Sequence, residues 1–178
     1  QIDSLIATVI IVAVLLSIVF YYLHSSKILG VLTTVPVVLV TIWIVGTMYA
    51  LGVPLNVLTV SITALTVGMG VDYSIHVTHG FTEKLQTEDN LFDAMHETIQ
   101  GTGSALFSST VTTIGAFGVL ATSEIAPLSE FGYITALAII YSFLASVLVL
   151  PSWLMIWAKH SKFKEKSKKD NPVLKKKQ

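Results

Sequence analysis

Residues 55–78 read LNVLTVSITALTVGMGVDYSIHVT, and one letter in that run is out of place. The stretch is otherwise apolar, small or hydroxyl-bearing nearly throughout. It is long enough to cross a hydrocarbon core of about 30 Å, which takes roughly 20 helical residues. Asp72 sets a carboxylate deep within it. Charge at that depth costs at least about 2.5 to 3.5 kcal/mol on insertion scales, so something must compensate it. The residue types around Asp72 therefore decide both the solvent of the fold and the place to look for its chemistry.

Working outward, comparable apolar stretches occupy 4–23, 30–50, 103–121 and 128–157. Each is expected to be helical, because lipid offers backbone N–H and C=O groups no partner, and no run of alternating ten-residue strands suggests a closed barrel. The composition agrees: 53% of the 178 residues are hydrophobic, 12% are charged, and mean hydropathy is +0.74. The fold class read from this is all-α, an integral membrane bundle of five transmembrane helices, with a transmembrane domain over 1–160 and a lysine-rich tail over 161–178. The tail is too polar and biased to fold alone. There is no cysteine, so disulfides and thiolate metal sites are excluded. No basic region precedes the first apolar stretch after Gln1, and the chain reads as a piece of something longer.

Every basic residue is a lysine, and nine of the eleven lie from Lys159 onward. The positive-inside rule then expects the C-terminus to be cytoplasmic and, after five crossings, the N-terminus to be outside. Lys27 and Lys84 fall inside on the same count, and the lysine-free turns around 52–54 and 124–127 fall outside. Tyr21, Tyr22, Tyr49, Trp153 and Trp157 fit interfacial anchors. The polar connection 82–101 predicts a short amphipathic helix on the cytoplasmic face, from the spacing of Leu91, Met95, Thr98 and Ile99. Asp89 or Thr87 would cap its start and Gly101 its end. Its carboxylates, Glu83, Glu88, Asp89, Asp93 and Glu97, read as a solvated face. Pro36 and Pro151 fall within spans and are expected to kink them.

At 100° per residue, Ser61, Leu65, Gly68, His76 and His79 share the face of Asp72. A carboxylate one turn from a histidine can pass a proton, since histidine titrates near neutrality. The bland alternative for His76 and His79 is a water-held pair at the membrane interface. Gly68 and Gly70 would let another helix approach Asp72. The 103–121 helix, with Ser104, Ser108 and Thr112 every four residues, is expected to supply hydroxyl donors, the alternative being ordinary small-residue packing. Tyr73 points about 100° away, toward some other neighbour. An aspartyl protease would need a second deep carboxylate, and none is present. Three metal ligands on a single helix (Asp72, His76, His79) make a weak site, and nothing in the sequence cradles a phosphate or presents a nucleophile. The expectation is a non-enzymatic protein with no metal, no cofactor and no nucleic-acid partner, the basic tail meeting anionic lipid.

The run Gly68-Met69-Gly70-Val71-Asp72-Tyr73-Ser74-Ile75-His76 resembles a central helix of the resistance-nodulation-division (RND) superfamily, especially its MMPL-type and archaeal exporters. Thr112-Thr113-Ile114-Gly115-Ala116-Phe117, then Leu120, Ser123, Pro127, Phe131-Gly132 and Leu150-Pro151, is similar to the closing helices of those proteins. The resemblance covers nearly the whole chain. It implies the last five helices of a second six-helix half, with the first half, one helix and two large extracytoplasmic domains absent. It further implies that Asp72 is a proton-binding carboxylate and Tyr73 its hydrogen-bonding companion, the two relaying protons while facing a matching pair in the first half; His76 joins that relay on helical spacing alone. The function so implied is proton-coupled export of lipids or other hydrophobic compounds, in the company of membrane lipid and the N-terminal half, with a homo-oligomer as a further option. Sterol-sensing proteins share the helical core, which leaves a lipid-binding regulatory module as the alternative.

Overall fold

The computed structural model describes Val14, Ile18 and residues 27–54, 57–88 and 90–170. The first expected span, 4–23, lies outside these apart from Val14 and Ile18, both helical. Within them the chain forms α1 (Lys27–Ala50), α2 (Val57–Thr87), α3 (Leu91–Thr98), α4 (Ser104–Ala121), α5 (Ala126–Leu144) and α6 (Leu150–Asp170). No strand occurs among the described residues. Among the described residues, three stretches are long and apolar enough to cross a membrane: Leu29–Ala50, Leu91–Ala121 and Ala126–His160.

Local chemistry explains the joints. After α1, Gly52 takes φ +67°, and Val53 N–H reaches back to Met48 C=O at 3.0 Å while Gly52 N–H reaches Tyr49 C=O at 3.2 Å. These paired bonds close a helix end that favours glycine, since only it enters the left-handed region without steric cost. Helix α3 is capped by Asn90, whose side chain accepts the Phe92 N–H at 3.2 Å, and not by Thr87; Asp89, the other cap the sequence suggested, lies outside the described residues. All three residue types can cap. Asn90 has the extended backbone directly before the first turn, whereas Thr87 is still within α2.

Gly101 does not end this helix either. A π-helical turn, Ile99–Gly103, carries the chain directly from α3 into α4. The segment thus opens a continuous helical stretch, burying Ala94, Met95 and Thr98 and exposing Phe92, Asp93, His96 and Glu97. Lys84 donates to Glu97 across 2.6 Å, tying the end of α2 to α3.

A second π-helical turn, Ala145–Val149, joins α5 to α6. It sits just before Pro151, which has no N–H and whose ring crowds the carbonyl four residues back, so the widened turn absorbs the mismatch. Pro36, by contrast, lies within α1 without breaking it. Helix α6 runs on to Asp170, past the point where the sequence suggested an unfolded tail. Extending a helix that packing has already nucleated is far easier than starting one in a free segment.

Helix α5 is the hub, packed on α1, α2 and α4. At one end Val77, Phe81, Met95 and Leu154 form a core, and at the other Ile44, Ile62 and Ile134 do so. Gly132 brings α5 against the end of α4 so closely that a Cβ there would lie 2.8 Å from Ala121 Cα. Ser129 Oγ completes the joint by donating to Ala121 C=O at 2.6 Å.

Candidate functional site

The stripe centred on Asp72 comes out on one side of α2 as the helical spacing suggests. Ser61, Gly68, Asp72, His76 and His79 are exposed, and Leu65 is half-buried. Asp72 Oδ1 lies 3.4 Å from His76 Nε2, one turn on, with the two side chains 66% and 59% exposed. The carboxylate does not turn into the bundle, contrary to the expectation that it faces partners there. The reason is geometric: α2 spends its inner face on other contacts. A Cβ at Gly70 would touch Val37 and Ser142 at 3.5 and 3.8 Å, and Ser74 Oγ lies 3.4 Å from Ser146 Oγ, so α2 presses on α1 and α5 along the side opposite Asp72.

The close approach at Gly70 is therefore real, but its partners are α1 and α5 and not the 103–121 helix. At Gly68 a Cβ would meet nothing within 4 Å. The hydroxyl stripe on α4 also points elsewhere. Ser108 and Thr112 are exposed and donate to the carbonyls of Ser104 and Ser108, four residues back, at 3.1 and 3.0 Å. A hydroxyl that bonds its own helix offers nothing to a neighbouring carboxylate.

What α4 does offer is Thr110. Its hydroxyl donates to Tyr73 Oη at 3.2 Å, both residues being buried. Tyr73 thus serves α4, the different neighbour that its 100° offset implied, and not the carboxylate beside it. Three consecutive residues divide the work: Asp72 faces out to His76, Tyr73 reaches α4, and Ser74 reaches the π-helical turn after α5. A change of charge on Asp72 thus acts on a helix whose next two residues hold two others.

Thr110, Ser74 and Ser146 were missed by sequence reasoning. Thr110 sits in SSTVTT, where any of five hydroxyls could have been the one that reaches across. The hydroxyls of Thr78, Thr135 and Ser142 are also buried on this seam, with no hydrogen-bond partner among the described residues. Among those residues no three His, Asp or Glu side chains gather as a metal site.

Residues 2–174 match the MMPL family. The chain belongs to that family. Its MMPL relatives include a Methanocaldococcus jannaschii protein named only as a membrane protein, 27% identical over 158 residues, which are 89% of this chain and 40% of the relative. A Niemann-Pick type C1-related protein of Toxoplasma gondii is 26% identical over 122 residues, 68% of this chain and 10% of that one. An apo-petrobactin exporter of Bacillus anthracis is 27% identical over 101 residues, 57% of this chain and 14% of the exporter. The chain thus spans less than half the length of each. No solved structure matches significantly. MMPL membership, with three stretches among the described residues long and apolar enough to cross, makes this a multi-pass membrane segment of an RND-type protein.

Proposed function

We propose that this MMPL chain is the C-terminal membrane part of a proton-coupled exporter of lipids or other hydrophobic compounds, in which Asp72 takes up and releases the proton and His76 passes it on. The observation that carries the reading is the Asp72–His76 pair, 3.4 Å apart on a helix of an otherwise apolar bundle. An ionisable residue at such a position is a functional site by default, because nothing structural repays its cost. The consecutive ties of Tyr73 to Thr110 and of Ser74 to Ser146 support coupling, since a shift of α2 on protonation is felt by α4 and α5. A relative named as an exporter supports the direction of transport.

On this reading α2 and the 4–23 segment also cross the membrane, giving five crossings with the N-terminus outside and the C-terminus cytoplasmic. Residues 82–101 then lie at the inner surface, and the protein catalyses no covalent chemistry. Because Asp72 faces away from the described helices, the mechanism also requires a second set of helices to cover it. Asp72→Asn in the full-length protein, reconstituted in liposomes with an imposed pH gradient and loaded with a hydrophobic fluorescent dye, tests the reading. Gradient-driven efflux is expected to fall to the passive leak. Undiminished efflux would remove proton coupling through Asp72.

A second reading, a sterol-sensing-like lipid-binding module without transport, is favoured by one observation. Helix α1 lines an apolar groove of about 380 Å³ with Val31, Val35, Val38 and Ile42. The Niemann-Pick type C1-related protein among the relatives fits it. Labelling of Val35 by a photoactivatable sterol, together with transport indifferent to Asp72, would shift the weight to this reading.

A further inference from the structure

We infer that the buried hydroxyls between α2 and the π-helical turn after α5 form a binding site for a dehydrated sodium ion, held by neutral oxygens alone. The site is separate from Asp72 and stands whether or not export is coupled to that carboxylate.

Buried hydroxyls elsewhere in the bundle are already spent. Thr33, Thr34, Thr66 and Thr98 donate to carbonyls of their own helices three or four residues back, at 2.7 to 3.2 Å. That is the ordinary fate of a hydroxyl in an apolar helix. Thr78 and Ser142 are fully buried and make no such bond. An unpaired buried hydroxyl costs about 1 to 3 kcal/mol, so two that share one seam call for a common partner.

The contacts put them on one seam. Ser142 Oγ lies 3.8 Å from the position of a Gly70 Cβ, so it faces α2 one turn before Ser74, and Thr78 follows one turn after. Ser146, one turn on from Ser142, brings its Oγ to 3.4 Å from that of Ser74. The π-helical turn adds a carbonyl. Leu150 N–H, which a regular helix would give to Ser146 C=O, goes to Ala145 C=O instead, and the next residue, Pro151, has no N–H to replace it. Oxygens of Ser74, Thr78, Ser142 and Ser146 thus gather around the end of α5 at Leu144, where the helix dipole favours a cation.

The spacing selects the occupant. A direct bond between hydroxyls closes to about 2.7–2.8 Å and a bridging water holds its two partners about 4.5 Å apart, so 3.4 Å fits neither. An ion with oxygen ligands at about 2.4 Å, the distance kept by calcium of the same size, sets neighbouring corners of its octahedron about 3.4 Å apart. Calcium and magnesium take carboxylates, and no Asp or Glu is buried among the described residues, which leaves an ion of single charge. Carbonyls at broken helix ends hold sodium at membrane depth in other transport folds. The tie between Ser74 and Ser146 then runs through the ion.

The test uses the full-length protein in detergent, with radioactive sodium in choline chloride as the probe. Saturable binding is expected, displaced by unlabelled sodium and not by an equal concentration of potassium. Binding that does not saturate, or that both ions displace alike, would overturn the inference, and this arm needs no variant to fold. Ser74→Ala and Ser142→Ala are each expected to weaken binding at least about tenfold. Ser108→Ala removes an exposed hydroxyl that bonds its own helix, and should bind as the native protein does. Undiminished binding in Ser74→Ala and Ser142→Ala, with loss in Asp72→Asn, would move the ion to the carboxylate and overturn the inference. The two readings fail separately: export that depends on Asp72 in a protein without a sodium site ends this inference alone, and sodium binding with export that ignores Asp72 ends the transport reading alone.

Discussion

Thr110 donates a hydrogen bond to the buried hydroxyl of Tyr73, while the carboxylate of the preceding residue faces the opposite environment. One helical step of 100° therefore separates a structural tie from an ionisable group on the same strip of backbone. The arrangement predicts that damage to the tie and damage to the carboxylate are read by different experiments.

For the tie, Thr110→Val keeps the shape and deletes the donor. Losing the bond between two buried partners is expected to cost about 1 to 2 kcal/mol, seen as a lower thermal midpoint in detergent. Tyr73→Phe should cost less, and the double variant no more than Thr110→Val alone. Fully additive losses would show that the two hydroxyls do not interact.

Gly132 and Gly70 should respond oppositely to the same substitution. Gly132→Ala drives a Cβ into the backbone of Ala121, so folded yield is expected to collapse or stability to fall by about 3 kcal/mol or more. Gly70→Ala meets only ordinary contacts at 3.5 and 3.8 Å and should be nearly neutral. Equal sensitivity in a thermal-shift assay would contradict the packing described.

The Lys84–Glu97 pair has a definite pH signature. The hydrogen bond and charge of Glu97 raise the lysine above its ordinary value of 10.5. A raised cationic pKa stabilises below the unfolded-state value and loses that contribution as pH climbs through the folded one. The stability difference between the native protein and Glu97→Gln should thus stay constant through neutrality and shrink only above pH 10.5. A difference that grew with alkalinity would have the wrong sign.

Topology can be checked through the turn after α1. Leu51 is 56% exposed beside Gly52, and the chain carries no cysteine of its own. A Leu51→Cys thiol is expected to react with an impermeant maleimide added outside cells, and a reporter fused after Lys177 to be cytoplasmic. The reverse labelling would invert the bundle.

Much of this architecture could be read from the residues. Apolar length located the 30–50 and 103–121 stretches within α1 and α4, and helical spacing placed Asp72, His76 and Gly68 on one stripe. Periodicity assigns residues to a face without saying what that face meets, and this is where the reading failed. The period-four hydroxyls Ser108 and Thr112 form a real stripe, but it points away from α2, and Thr110, two residues from each, makes the contact. Asp72 was expected to turn inward because lipid is costly for charge. That argument demands a cover without fixing which helices provide it. Asn90 was overlooked because Thr87 and Asp89 are equally able caps in the abstract.

The widened turn at Ala145–Val149 has an effect at a distance. It accommodates one residue more than an ordinary helical turn, which rewinds everything beyond it by about 100°. In an unbroken helix, Leu150, Leu154 and Ala158 would drift progressively off the side that Ser142 and Ser146 present. With the offset they return to it, and all three are buried. Deleting a single residue such as Val147 would remove the surplus residue and leave those three side chains on the core side of a regular helix, whereas inserting one would rotate them out of the core by about 100°.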